Sequence, residues 1–184
     1  MNTATAHETR KLIVIIGFMG SGKTTVAREV ARLLNCRAVD LDELISQREN
    51  LSPGEIIEQS GEDEFRRIET ETLSQVMNEE FGDSHARIVA LGGGTWTLQR
   101  NRDLINEHMG TTIWLDAPFD LCWQRIQTGG EGRPLARDEA QARMLYAQRR
   151  SQYALAELQL QIGRNQSLAE TCVEIVETLR TRNR

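Results

Sequence analysis

Cysteine is scarce in this chain. Cys36, Cys122 and Cys172 are odd in number, far apart and without any C-x-x-C spacing, which speaks against a disulfide framework or a zinc site and leaves buried free thiols as the expectation. Histidine is equally sparse. His7, His85 and His108 show no metal-ligand spacing and are expected as surface residues. No apolar run approaches the ~20 residues that a membrane span needs. The N-terminal MNTATAHETRK is polar and lacks the apolar stretch of a signal peptide, so a cytoplasmic location is expected. Positive charge is not in excess either: 22 Lys and Arg face 27 Asp and Glu, a net charge of −5. That balance argues against broad adhesion to nucleic acid or anionic membrane, while a local cluster of arginines could still hold an acidic ligand.

What is present reads as a folded protein. Hydrophobic residues make up 39% and charged residues 27% of 184 positions, a globular composition at a length that suits one domain. A monomer is expected. The run KLIVIIG is short, β-branched and wholly apolar, as in a strand buried on both faces. KTTVAREVARLLN follows, with Val26, Val30, Leu33 and Leu34 at helical intervals. RAVD, RIVALG, TTIWLD and LQLQIG are further candidate strands. Ser52-Pro53-Gly54-Glu55 combines a capping box with proline at the first helical position, Ser167 to Glu170 repeats the box, and Asp138 with Gln141 is a weaker version. Strands alternating with helices predict an α/β fold with a mostly parallel sheet. The glycine-rich break QTGGEGRPLARDE, residues 127–139, is expected to be a mobile loop.

Between the first strand and its helix lies GFMGSGKTT. Gly17-x-x-x-x-Gly22-Lys23-Thr24 satisfies the phosphate-loop pattern in the place that pattern requires. Gly20, Ser21 and Gly22 are expected to turn backbone N–H groups toward the phosphates of ATP, Lys23 to bridge the terminal phosphates, and Thr24 to ligate Mg²⁺, with Thr25 beside them.

A phosphate donor needs an acceptor. Asp40 and Asp42, in AVDLDELI, are placed by this reading at the carboxyl end of the second strand, pointing to one face. Either acid alone reads as a helix cap or a solvated charge. As a pair beside a phosphate loop, one suits Mg²⁺ and the other suits orienting a hydroxyl and taking its proton. Arg66, in GEDEFRRIETE, has two readings: a surface ion pair with Glu69, or a guanidinium fork presented to a carboxylate substrate. Gly92, Gly93 and Gly94 in succession make sense where a ligand approaches the backbone closely. This segment lacks the acid that many phosphate-loop enzymes carry there, leaving Asp40 as the magnesium partner. Arg133, in the loop, and Arg149, on the next helix, each read alone as solvated, whereas a lid arginine closing over the γ-phosphate could stabilise the charge that develops in transfer.

Taken in order, GFMGSGKTT, DLD, GEDEFRRIE, LGGG, RPL and RRSQY make the chain resemble the shikimate kinase family from about residue 12 to 153. The resemblance implies a nucleoside-monophosphate-kinase-like fold, a three-layer α/β/α sandwich with a five-stranded parallel sheet. It implies transfer of the ATP γ-phosphate to the 3-hydroxyl of shikimate. By position, Lys23 and Thr24 serve the phosphates and Mg²⁺, Asp40 is a second magnesium contact, and Asp42 binds the acceptor hydroxyl as base. Arg66 and Arg149 resemble the pair that grips the shikimate carboxylate, Gly93 and Gly94 offer backbone contacts, and Arg133 resembles the lid arginine. Residues 1–10 then form a polar tail of a single kinase domain, 41–70 an acceptor-binding region and 127–138 the lid. Bulky Trp96 departs from the pattern beside the acceptor pocket, Gln127 replaces a basic residue near the adenine, and no proline precedes Tyr153. Arg164, or else Arg125, is the expected substitute at the nucleotide. Other readings are a kinase of another hydroxy acid such as gluconate, and a regulatory module without turnover.

Overall fold

The computed structural model describes residues 11–79, 86–128 and 138–182. In chain order the elements are β1 Lys11–Ile16, α1 Lys23–Leu33, β2 Arg37–Asp40, α2 Leu41–Glu49, α3 Pro53–Ser60, α4 Glu62–Asn78, β3 Ala86–Ala90, a 3-10 turn Thr95–Thr97, α5 Gln99–Glu107, β4 Thr111–Asp116, α6 Phe119–Thr128, α7 Glu139–Tyr153, β5 Leu158–Gln161 and α8 Leu168–Thr181. The strands form one parallel sheet in the order β2-β3-β1-β4-β5. This is the expected five-stranded, nucleoside-monophosphate-kinase-like arrangement.

Burial explains the strand sequences. Leu12 to Ile16 of β1 and all of β3 are buried, so neither strand alternates polar with apolar residues, as befits a sheet covered on both faces. β1 is central and the chain leaves it in both directions across the sheet, which places a crevice at the carboxyl ends of β1 and its neighbours. Register sets the depth of that crevice. Ala90 of β3 is level with Ile15 on one side and Asp40 on the other, so the phosphate loop, the end of β2 and the triple glycine open at one edge.

The helix starts follow local chemistry. Ser52 and Ser167 each complete a reciprocal capping box, with Glu55 and Glu170, and the Asp138 carboxylate accepts from the Gln141 N–H. On α1 the buried stripe is Val26, Ala27, Val30 and Ala31, whereas Leu33, expected on it, is 43% exposed. At 100° per residue Leu33 lies about 90° from the middle of that stripe. Cys122 and Cys172 are buried and Cys36 half-buried, all as free thiols.

Candidate active site

A cleft of about 540 Å³ is lined by the phosphate loop, the start of α2, the α3–α4 wall and the triple glycine. Its floor is the strand edge just described. At the donor end, Gly20 adopts φ +77°, and a Cβ there would stand 2.5 Å from the Cys122 carbonyl oxygen. Glycine is required on both counts. α1 begins at Lys23 with no side-chain cap and no acid in its first turn, leaving N–H donors and partial positive charge for an anion. Lys23 Nζ donates to the Phe18 carbonyl at 3.0 Å, which draws the amine back along the loop. Thr24 Oγ1 donates to Asp40 Oδ2 at 2.5 Å. That pair presents hard oxygens from two elements at the edge of the phosphate site, the donor chemistry that suits Mg²⁺ completed by phosphate and water. Among the described residues no cluster of three or more His, Cys, Asp or Glu forms a metal cage, and such a shared site needs none.

Asp40 ends β2 and also caps α2, accepting from the Glu43 N–H at 3.1 Å. Asp42 corrects one expectation. It is not on the strand; it lies in the first turn of α2, so helix geometry rather than strand alternation brings both acids to the cleft. Burial pushes the Asp42 carboxyl up to about 6, repulsion from Asp40 and Glu69 adds to the rise, and Lys23 and Arg66 oppose it. A carboxylate tuned toward neutrality and still ionised at pH 7 is suited to accept a proton.

At the acceptor end Arg66 makes the expected ion pair. It pairs with Glu69 at 2.8 Å and Glu62 at 2.9 Å, yet the pair is not a surface one: the Arg66 side chain is 12% exposed and Glu69 only 1%. Burial works against the guanidinium charge, and Glu69 and Glu62 outweigh it, so its affinity for the proton rises. Bonds run from Nε and Nη2 to Glu62 and from Nη1 to Glu69. One N–H on each terminal nitrogen remains for a ligand. A Cβ on Gly94 would stand 2.5 to 2.8 Å from the guanidinium, so glycine lets Arg66 lie flat along the backbone. Arg149, which alone read as solvated, is instead buried, its Nη1 only 3.2 Å from where a Gly93 Cβ would be. No acid among the described residues pairs with it. Pro53, Ile57 and Phe65 add an apolar wall to the cleft.

A sequence model of the shikimate kinase family matches residues 19–180. The chain belongs to the shikimate kinase family. It is 31% identical over 173 residues to the curated shikimate kinase of Sulfurihydrogenibium sp., covering 94% of this chain and 97% of that one. To that of Parasynechococcus marenigrum it is 37% identical over 160 residues, covering 85% and 80%. The solved shikimate kinase of Acinetobacter baumannii in complex with shikimate superposes with a TM-score of 0.83 at 31% identity, covering 97% of each chain.

Against the shikimate kinase pattern, the departures resolve in space. Trp96, expected beside the acceptor pocket, is 2% exposed and absent from the cleft lining. Its indole N–H donates to the Gln152 carbonyl at 2.8 Å, so its bulk fills the core behind the turn and takes no room from an acceptor. Arg164 stands on the surface, paired with Asp120 at 2.9 Å. Arg125, its alternative, lines the cleft and donates to the Gly20 and Ser21 carbonyls at 3.2 and 3.4 Å. It also borders a second cavity of about 260 Å³ between Thr25, Ile162 and Gln166. Arg133 and most of the expected lid lie outside the described residues. Two contacts of the turn are visible only in the fold: Glu69, the expected partner of Arg66, also accepts from Thr95 Oγ1 at 2.5 Å, and the Tyr153 hydroxyl reaches the Gly93 carbonyl. The i, i+3 spacing of Arg66 and Glu69 signalled the pairing; nothing local signalled its depth.

Proposed function

We propose that this shikimate kinase transfers the γ-phosphate of ATP to the 3-hydroxyl of shikimate, giving shikimate 3-phosphate and ADP, through the residues that line the described cleft. The observation that carries the reading is one cleft whose lining brings the Asp42 carboxylate together with Lys23 of the phosphate loop and with Arg66 and Arg149. A reaction that joins a phosphate to a hydroxy acid needs that juxtaposition and little else from the protein, since phosphoryl transfer is governed by positioning and charge neutralisation.

In this reading the phosphate-loop N–H groups of Gly20 to Thr25, the start of α1 and Lys23 hold the phosphate oxygens. Thr24 and Asp40 would hold Mg²⁺, which when bound neutralises phosphate charge and leaves the γ-phosphorus open to attack. Arg66 and Arg149 take the shikimate carboxylate from two sides, Gly93 and Gly94 offer N–H groups to the ring hydroxyls, and the apolar wall packs on the ring. Asp42 accepts the hydrogen bond of the attacking hydroxyl, aligns its lone pair and takes its proton as the oxygen–phosphorus bond forms. Arg133 is assigned to the transferring phosphate by its place in RPL, and the nucleotide contact first given to Arg164 is reassigned to Arg125, which borders the phosphate loop. The single kinase domain works as a cytoplasmic monomer, with 41–70 as acceptor region and 127–138 as lid. No described helix is long and apolar enough to cross a membrane.

A coupled assay of ATP consumption with shikimate, with gluconate and without acceptor tests the proposal. Rapid ADP release with shikimate alone is expected. Equal or faster turnover with gluconate, or the same rate without acceptor, would replace it.

A further inference from the structure

The triple-glycine turn is clamped to the end of α7 by two hydrogen bonds. The Tyr153 hydroxyl donates to the Gly93 carbonyl at 2.5 Å, and the Trp96 indole donates to the Gln152 carbonyl at 2.8 Å. Both rings are buried, Tyr153 at 1% and Trp96 at 2% exposure, and neither lines the cleft. α7 runs unbroken to Tyr153, so Gln152 belongs to its last turn, and its carbonyl accepts from the Leu155 N–H at 3.1 Å. The indole adds a second donor, from the turn. The rest of the turn is held as firmly: Asn101 takes the Thr95 carbonyl and Arg102 the Trp96 carbonyl.

Two groups assigned to the acceptor depend on this clamp. Arg149 precedes Tyr153 by four residues and so shares its helix face; its guanidinium is near enough to oppose the rise that burial gives the Tyr153 hydroxyl, and it packs on Gly93. The Gly93 carbonyl also shares a peptide plane with the Gly94 N–H. No described peptide is cis, so that carbonyl and N–H point in opposite directions. Holding the carbonyl from behind, at Tyr153, aims the N–H the other way, and Gly94 lines the cleft. Burial pushes the Tyr153 hydroxyl up to about 12, so it stays a donor at any working pH.

We propose that Tyr153 and Trp96 are positioning residues that set the affinity for the acceptor by fixing Arg149 and the Gly94 N–H, without touching substrate themselves. This rests on the shikimate-phosphorylating reading of the cleft.

Steady-state kinetics of the wild type, Tyr153→Phe and Trp96→Phe, varying shikimate and ATP in turn, test it. Wild-type turnover of shikimate is measured first, and its absence would strike the functional reading rather than the clamp. Tyr153→Phe keeps the ring and removes one donor, and the KM for shikimate should rise about five- to tenfold with the KM for ATP changed less than about twofold. Trp96→Phe should move the same constant by about threefold. Because Tyr153 acts through Arg149, adding Tyr153→Phe to an Arg149→Met protein should raise the shikimate KM by less than about twofold. An unchanged shikimate KM in folded Tyr153→Phe, a parallel rise in both KM values, or full additivity with Arg149→Met would overturn the proposal. Should Tyr153→Phe not fold, Trp96→Phe decides it by the same criteria.

Discussion

Replacing Asp42 by Asn should make the protein more stable and nearly inactive, and the stability gain should depend on pH. The ordinary carboxyl pKa of 3.8 is raised to about 6 in the fold, first by burial and then by Asp40 and Glu69. A shift of that size corresponds to about 3 kcal/mol, and because the cleft is open to water a realistic share is about 2 kcal/mol. The sign follows from proton binding. Between pH 4 and 6 the folded protein holds a proton that the unfolded chain has released, so the stability this group contributes is complete below about pH 4 and is lost as pH rises through 6. Asn carries no charge at any pH. Its advantage over Asp should therefore be complete above pH 7, about half as large at pH 5, and absent near pH 4. For a chain of this size 2 kcal/mol raises the melting temperature by about 4–8 °C. Thermal unfolding of both proteins at pH 8 and pH 5 measures it. The same variant should lose about 10²- to 10⁴-fold in kcat, whereas the wild type should lose kcat/KM about tenfold per pH unit below 6. Turnover of Asp42→Asn within threefold of wild type, or a melting temperature at pH 8 below that of wild type, would refute the reasoning.

Asp40→Asn should preserve the α2 cap, since Asn and Asp cap comparably, while raising the Mg²⁺ concentration needed for half-maximal activity several-fold; a magnesium titration reads this. Glu69→Ala should destabilise the fold by about 3–5 kcal/mol, because it leaves the Arg66 guanidinium and the Thr95 hydroxyl with one partner fewer in a buried setting; urea unfolding measures the loss. Gly94→Ala should raise the KM for shikimate at least tenfold with the KM for ATP unchanged, since the added methyl meets the Arg66 guanidinium 2.5 Å away. Arg66→Lys, which loses the planar fork but keeps the charge, should act chiefly on that same constant.

Local chemistry was legible in the sequence and distant partnerships were not. The strands RAVD and TTIWLD have the bounds expected, and both serine capping boxes form as read, because each depends on neighbours within a few residues. The Asp40 and Asp42 pairing was anticipated for the wrong geometric reason. The spacing of Asp40 to Glu43 was itself a cap signal, and it places Asp42 in a helix rather than on a strand. Trp96 looked like an intruder in the acceptor pocket because its partner, Gln152, lies 56 residues on. The burial of Arg66 with Glu69 likewise depends on α4 packing under the triple glycine, which no i, i+3 pattern announces. Arg164 and Arg125 were interchangeable in sequence; only the fold sets one on the surface with Asp120 and the other on the phosphate loop.

The most direct measurement is the ³¹P spectrum of the product formed from ATP, Mg²⁺ and shikimate by the purified wild-type protein. A single phosphomonoester on the 3-hydroxyl, formed mole for mole with ADP, is the predicted result. An ester on another hydroxyl, or ADP released with inorganic phosphate and no ester, would contradict the placement of Asp42 between donor and acceptor.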